Sequence, residues 1–361
     1  MSVLGLPVEV VQSIMLQSLA EKSRPMTTES PLILTQICSL WREISLQSPE
    51  LWQSISLDDD EHSPSPEILD AWAIRAADRP LNISLHAIHD PETYLQWSML
   101  HSTRWQNIDL KLPASAFSIL THQNGPFPML RSFSLAVAFH GGRNRCSIPI
   151  RDAPLLVLKI TSFDAGETIS FLQHCSNLVD LTFTLQVPSY DEAPSHVCTL
   201  PSLRSLMNAG SAILPYLTAP NLTRLDLWGP AFRLLLDTPP HISAPQFRAF
   251  LILIPTVTDI QFAIYTAEQQ QLVSVLRSTD ILPHLETLRI DRPAWGEGYD
   301  VLFETVRERR ESSEARGRLA TLHLCFPHIQ PYPSGPTKLP NVTKDRLLAL
   351  QSADFRVTVV D

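Results

Sequence analysis

Beyond residue 57 the apolar residues recur in one figure, Pro-x-Leu-x-x-Leu-x-Leu, with substitutions. Pro128, Leu130, Phe133 and Leu135 make one copy, and Pro220, Leu222, Leu225 and Leu227 another. Pro255, Val257, Ile260, Phe262 and Pro283, Leu285, Leu288, Ile290 repeat it. Two further copies, around Leu178, Leu181, Phe183 and around Leu319, Leu322, Leu324, lack only the proline. Weaker ones centre on Ile83, Ile108, Leu158 and Leu206. The central apolar positions 83, 108, 133, 158, 181 and 206 keep a nearly constant period, whereas those at 225, 260, 288 and 322 are irregularly spaced. Phe247 and Phe250 form either a degenerate copy or the run into the Ile260 unit.

The alternating end of this figure predicts a short strand with one buried face. A single such strand has nothing to bury that face against, so successive units must stack in parallel and share a core. The proline stands upstream of each strand, where no ladder hydrogen bond is asked of it. Helical returns are expected over 168–174, 266–278 and 298–309, a last helix over 343–352, and a final strand or cap over 355–360. The segment from Leu51 through Ile55 to Leu57 already carries the strand pattern.

The segment 1–57 has a different period. Val10, Val11, Ile14 and Met15 lie on one side of a helix entered at Pro7, a position where the missing N–H is harmless. Ser30 and Pro31 predict the start of a second helix, with Ile33, Ile37, Leu40, Trp41 and Ile44 at helical spacing. Ser48, Pro49 and Glu50 begin a short third helix bearing Leu51 and Trp52. Three short helices make a thin core. On spacing alone they are either a cap on the next domain or a docking surface.

Composition narrows the function classes. The chain has 361 residues, 44% hydrophobic and 18% charged, with a formal net charge of −9. That balance does not suggest a nucleic-acid partner, which normally requires a basic patch. The longest apolar run, Ala249 to Ile254, is cut by Pro255 and is far too short to span a bilayer. No early Lys or Arg precedes an apolar core at the N-terminus, so a cytoplasmic or nuclear chain with no membrane partner is expected. Its five cysteines form no Cys-x-x-Cys pair and are expected as reduced thiols. Three Asn-x-Ser/Thr sites, at Asn82, Asn221 and Asn341, would matter only in a secreted chain.

Leu6-Pro7-x-Glu9, then Cys38-x-x-x-Trp41-Arg42, then Ser48-Pro49-x-Leu51-Trp52 in this order resemble the F-box, especially that of the large fungal F-box families. The resemblance covers the segment 1–57. It implies docking to the Skp-family linker of a Skp–cullin–F-box ubiquitin ligase through Leu6, Pro7, Ile14, Ile37, Cys38, Trp41, Leu51 and Trp52. The polar connection Glu21 to Glu29 is longer than in compact F-boxes. The repeat, with its early period of roughly 25 positions, resembles the leucine-rich family. It departs from that family where an Asn or Cys usually follows the motif; Ala138, Gln186, Ser211, Pro230 and Pro293 stand there instead. The expected architecture is thus α/β: an F-box-like three-helix module over 1–57, then an irregular leucine-rich-repeat solenoid with a parallel sheet over 58–361.

Chemistry is sparsely signalled. There is no Gly-x-Ser-x-Gly elbow, no Walker loop and no Gly-x-Gly-x-x-Gly. His140 to Arg143 faintly resembles an oxyanion-hole loop, and also a glycine turn between repeats. His86, His89 and Asp90 could ligate a metal or simply form a polar strand end. Arg307 to Glu311 mixes both signs on a helix, a solvated face, and Asp58 to Glu61 reads as a solvated hinge. Neither cofactor nor catalytic residue is expected. In a solenoid the residues between buried leucines point to the concave face. Lys159, Arg224, Asp226, Trp228, Arg289, Asp291 and His323 are therefore the expected target-binding residues. With Asp180, Asp259 and Gln261 they could equally form a polar sheet surface with its own Arg–Asp pairs. Three functions follow: a ligase substrate receptor with an unidentified target protein, an interaction scaffold whose F-box-like helices serve only as a cap, or an enzyme using the solenoid loops.

Overall fold

Each proline that heads a full repeat occupies the second position of a β-turn. The computed structural model describes residues 6–20, 22–58, 64–86, 90–121, 127–138, 150, 153–161, 165–184, 196–208, 211–227, 244–263, 272–291, 298–311, 319–325, 345–346, 349–352 and 355–360. The amides of Leu130, Leu222, Val257 and Leu285 donate to the carbonyls of Phe127, Ala219, Ile254 and Leu282 at 3.1–3.3 Å. Leu203 and Leu200 around Pro201 do the same. The fixed φ of proline suits this second position. Both ends of every such turn are buried, so each turn delivers an apolar residue to the core and re-aims the chain into a strand. Cys175 and Leu178 close the equivalent turn with Ser176 in place of proline.

The chain forms two compact units, Met1–Ser162 and Phe163–Asp361. In the first, β1 (Ser54–Asp58), β2 (Leu81–His86), β3 (Trp105–Pro113), β4 (Ser132–Ala138) and β5 (Val157–Thr161) pair in parallel in chain order. The expected central residues fall in register, with Ile55, Ile83, Ile108, Phe133 and Leu158 side by side. All five are buried.

In the second unit β6 (Asp180–Thr184) pairs with β8 (Ser205–Asn208), and β7 (Cys198–Thr199) with β9 (Leu217–Thr218) as a separate pair. Parallel pairing then runs from β8 through β10 (Arg224–Leu227), β11 (Asp259–Ala263), β12 (Thr287–Asp291) and β13 (Thr321–Cys325) to β14 (Arg356–Val360). Leu181, Leu206, Leu225, Ile260, Leu288, Leu322 and Val357 share one row, also buried. The residue before each strand accepts from the next repeat. For example, the Thr223 carbonyl takes the amides of Thr258 and Asp259, and the Thr258 carbonyl those of Glu286 and Thr287.

Side chains ahead of the strands reinforce this staircase. Thr256 Oγ1 donates to the Pro220 and Leu222 carbonyls, and Asn221 Nδ2 to the Pro201 carbonyl, each at 2.8 Å. Of the positions where the family asparagine is missing, Ala138 ends β4 and Ser211 opens a 3-10 turn; the other three lie outside the described residues.

The returns differ in part from expectation. Helices α4 (Pro66–Arg75), α5 (Pro91–Leu100) and α6 (Ala114–Thr121) join the early strands. α7 (Ala165–Leu172) begins ahead of the expected start at Thr168, and α8 (Ala244–Ile252) buries Phe247 and Phe250, so that pair is helical. α9 (Gly298–Glu311) is present as expected. In its Arg307–Glu311 segment Arg307, Glu308 and Glu311 are exposed as expected, but Arg309 falls on the buried stripe with Leu302, Thr305 and Val306. Its guanidinium donates to the carbonyls of Leu276, Ser278, Ile281 and Leu282. Burial lowers its pKa to about 10, which leaves it charged at neutral pH.

The N-terminal helices are α1 (Val8–Gln17), α2 (Leu34–Ile37) and α3 (Ser39–Gln47), with a 3-10 turn at Pro49–Trp52. The helix expected from Ser30 and Pro31 through Ile44 is two pieces. Cys38 is extended, at φ −160° and ψ 172°, and its carbonyl accepts from Arg42 N. The break lets Leu34 and Ile44 both reach the core, and the Arg42 side chain satisfies the Thr35 carbonyl at the end of α2. The expected boundary at residue 57 does not mark a compact division. Trp52 meets Trp72 of α4 edge-on at 4.9 Å, Arg75 stacks over Trp52, and Ser56 N donates to the Ser23 carbonyl.

One position departs from its ideal residue. Ala77, just past the α4 cap, is exposed with φ 49°, a left-handed conformation that glycine adopts without a Cβ clash. Ala77→Gly is expected to raise the unfolding free energy by about 0.5–1 kcal/mol, measurable as a higher denaturation midpoint.

Candidate functional site

The N-terminal helices have two apolar faces. One is internal: Val11 and Met15 of α1, Leu34 of α2, Ile44 of α3, then Leu51 and Trp52 are buried. The other is open. Leu6, Val10 and Ile14 recur every fourth residue along α1 and its entry, and Ile33 and Ile37 do so at α2. Ile14 is 40% and Ile37 56% exposed. Of the fifteen large apolar side chains exposed among the described residues, eight fall between Leu6 and Leu46. Isolated exposed leucines are ordinary, but so many within one short segment are not, which makes this face the candidate interaction surface.

The expected docking residues therefore separate into two groups. Leu6, Pro7, Ile14 and Ile37 are exposed, and Cys38 and Trp41 half-buried. Leu51 and Trp52 are core residues and cannot touch a rigidly docked partner. Trp52 is fully buried, and its indole N–H donates to the Ser45 carbonyl at 2.9 Å. Periodicity could not assign these roles, because both faces of α1 carry aliphatic residues.

The second surface is the polar face of the strands. In the first unit its row is Ser56, Ser84, Asp109, Ser134 and Lys159. Lys159, an expected target contact, is exposed at one end of it. Ser56 and Ser84, at the other end, are buried. Here the α1–α2 connection crosses the row: Lys22 Nζ is 2.8 Å from Asp109 Oδ2 and 3.2 Å from Ser84 Oγ. The long connection thus has a structural use that its length alone did not reveal.

In the second unit one row holds Asp226, Gln261, Arg289, His323 and Thr358. The row two positions earlier holds Arg224, Asp259, Thr287, Thr321 and Arg356. Arg289 and His323, both expected target contacts, are therefore side by side. Arg224 Nη2 lies 3.8 Å from Asp226 Oδ2, and the Asp226 side chain is only 5% exposed. Asp226 is thus an internal partner rather than a direct target contact, because a carboxylate held beneath the surface beside a guanidinium has little face left to offer. Asp291 takes its place on β12, and Trp228 lies outside the described residues. Arg356 was missed by sequence reasoning, although the alternation over 356–360 was its signal.

The groups with possible chemistry do not assemble as the sequence paired them. Asp90 caps α5 by accepting from Thr93 N, while His86 turns to Asp109, with Nε2 3.1 Å from Oδ2. His89 and His140–Arg143 lie outside the described residues. Ser84, His86 and Asp109 form a cluster, but the same Nε2 faces both Ser84 Oγ at 3.4 Å and Asp109 Oδ2. A proton relay needs the two ring nitrogens on different partners. Among the described residues no group of three or more His, Cys, Asp or Glu could hold a metal, and no helix is long and apolar enough to cross a membrane. Cys175 and Cys198 are buried free thiols, pushed up to about 12 and about 11 by burial.

No protein-family model matches the chain, and no curated protein matches it.

The Lys22–Asp109 contact generates a pH dependence. Burial alone would raise the Asp109 pKa, but hydrogen bonds from Lys22 and Ser134 and the charges of His86 and Lys22 outweigh it and lower it. A carboxylate with a lowered folded pKa stabilises fully above its unfolded value, about 3.9, and loses that contribution as pH falls through the folded one. Asp109→Asn is expected to unfold at lower denaturant than the parent at pH 6. The difference should shrink as the pH falls below the unfolded value and vanish once the folded carboxyl is protonated as well.

Proposed function

We propose that this chain is a substrate-recognition subunit of a Skp–cullin–F-box type ubiquitin ligase. The N-terminal helices dock the Skp-family linker, and the polar face of a degenerate leucine-rich-repeat solenoid holds a target protein. The reading is carried by one observation: α1 and α2 keep Leu6, Val10, Ile14, Ile33 and Ile37 exposed after the module's own core is complete. A helical cap needs only one apolar face. Burying the exposed half of one aliphatic side chain is worth about 1 kcal/mol, so a docking surface needs several, and several are present. The near-constant early repeat period and the in-register leucine rows support the solenoid. The chain's role is proximity, in which a target is held near a ligase that performs the covalent step.

The scaffold reading draws on a different observation, the Trp52–Trp72 contact that fastens the helices to the first repeats. It accounts for the buried face and leaves the exposed one without a use.

Co-expression with a Skp-family linker separates the two. The full chain is expected to capture the linker, and Ile14→Glu with Ile37→Glu to lose capture at least tenfold while the chain stays folded with a slightly lower melting temperature, since about half of each side chain is already exposed. A folded parent chain that captures no linker would sink the ligase reading and leave the scaffold.

A further inference from the structure

The polar row of the first unit holds an ammonium that the chain itself supplies. Ser84, Asp109 and Ser134 are register neighbours on β2, β3 and β4, so three strands present them side by side across about 10 Å. Lys22, from the α1–α2 connection, places Nζ 2.8 Å from Asp109 Oδ2 and 3.2 Å from Ser84 Oγ. His86 Nε2 lies 3.1 Å from the same carboxylate oxygen, and the Ser134 hydroxyl also donates to Asp109. Ser56 Oγ, beside Ser84 in the row, is buried and has no hydrogen-bond partner among the described residues. The row thus has acceptor capacity that Lys22 does not use.

The occupant and its site are held separately. The acceptors stand on ladder-paired strands. The connection is fastened by Ser23, which is fully buried and whose carbonyl accepts from Ser56 N at 2.8 Å. The Lys22 side chain is 48% exposed, so it can swing into water with Ser23 in place. It then leaves a half-buried carboxylate beside the buried Ser84 hydroxyl. A carboxylate that has lost its partner in such a place favours another cationic donor.

We propose that this cluster is a subsite for one basic side chain of a target protein, and that Lys22 occupies it as an intramolecular plug. This deepens the proposed function by naming what the polar face takes at one point, and rests on that reading only in taking the target to be a protein held on this face. Charges around the subsite limit the partner. Lys111, two residues along β3, and Lys159, beside Ser134 on β5, are both exposed. They repel a run of basic residues, so the partner offers a single lysine or arginine among neutral or acidic neighbours. A half-exposed ion pair is weak. The plug therefore reduces apparent affinity by the fraction of chains in which it is open, and does not abolish binding.

The test uses the immobilised full chain and degenerate peptide libraries with a fixed central lysine, acetyl-lysine or glutamine. Lys22→Ala is expected to retain the lysine library roughly threefold better than the parent, a gain that misfolding cannot produce. Lys22→Arg, which keeps a plug, is expected to stay near the parent. So is Arg248→Gln, which makes the same charge change at an exposed position of α8. Adding Asp109→Asn to Lys22→Ala is expected to remove the gain in a chain that still melts cooperatively. The proposal is overturned if Lys22→Ala gives no gain, if the acetyl-lysine or glutamine library gains equally, if Arg248→Gln gains as much, or if an oligolysine is retained in preference to the lysine library. Linker capture is read on the same samples. A parent chain that captures no linker, beside a Lys22→Ala chain that gains the lysine library, sinks the ligase reading and leaves the subsite standing.

Discussion

The fold depends on keeping the apolar positions of successive parallel strands in register. Ile55, Ile83, Ile108, Phe133 and Leu158 in one unit, and Leu181 through Val357 in the other, each have only the adjacent repeats to bury against. A slip of one residue in any strand would turn its leucines to solvent and its polar residues into the core. The Pro-headed turns are the device that prevents it. Each fixes where the chain enters its strand relative to a buried residue at either end of the turn, and the carbonyls of Arg131, Val179, Arg204, Thr223, Thr258 and Glu286, just before their strands, each take two amides of the next repeat.

That register also builds the polar face. Since the buried rows are aligned, the rows between them are aligned too, and residues far apart in sequence become neighbours. Arg289 and His323 meet for this reason, and Arg356 joins them from the end of the chain. The carbonyls of Leu276, Ser278, Ile281 and Leu282 lie in the connection between β11 and β12, outside the strand ladder, and the Arg309 guanidinium on the buried stripe of α9 donates to all four.

The N-terminal helices show how one element can serve two surfaces. Trp52 and Leu51 commit the inner face to packing, and Trp72 and Arg75 extend that packing into the first repeats. Lys22 and Ser23 bind the α1–α2 connection to β3 and β1. The outer face of α1 and α2 is thereby held on a base packed against the first repeats.

The strands, their parallel order and the central residue of each repeat were legible in the sequence, because a period-two apolar alternation behind a proline turn has few other physical meanings. The entry at Pro7, the strand after Trp52 and helix α9 were legible for similar local reasons. Tertiary structure decided what local pattern leaves degenerate: which aliphatic face of α1 is buried, that Cys38 breaks a helix, that Asp226 is covered and Arg309 interior, and that Asp90 caps a helix while His86 turns to Asp109. Those outcomes depend on partners that arrive from distant repeats. A single strand or helix encodes its own periodicity, whereas burial and charge pairing exist only between elements once the register has brought them together.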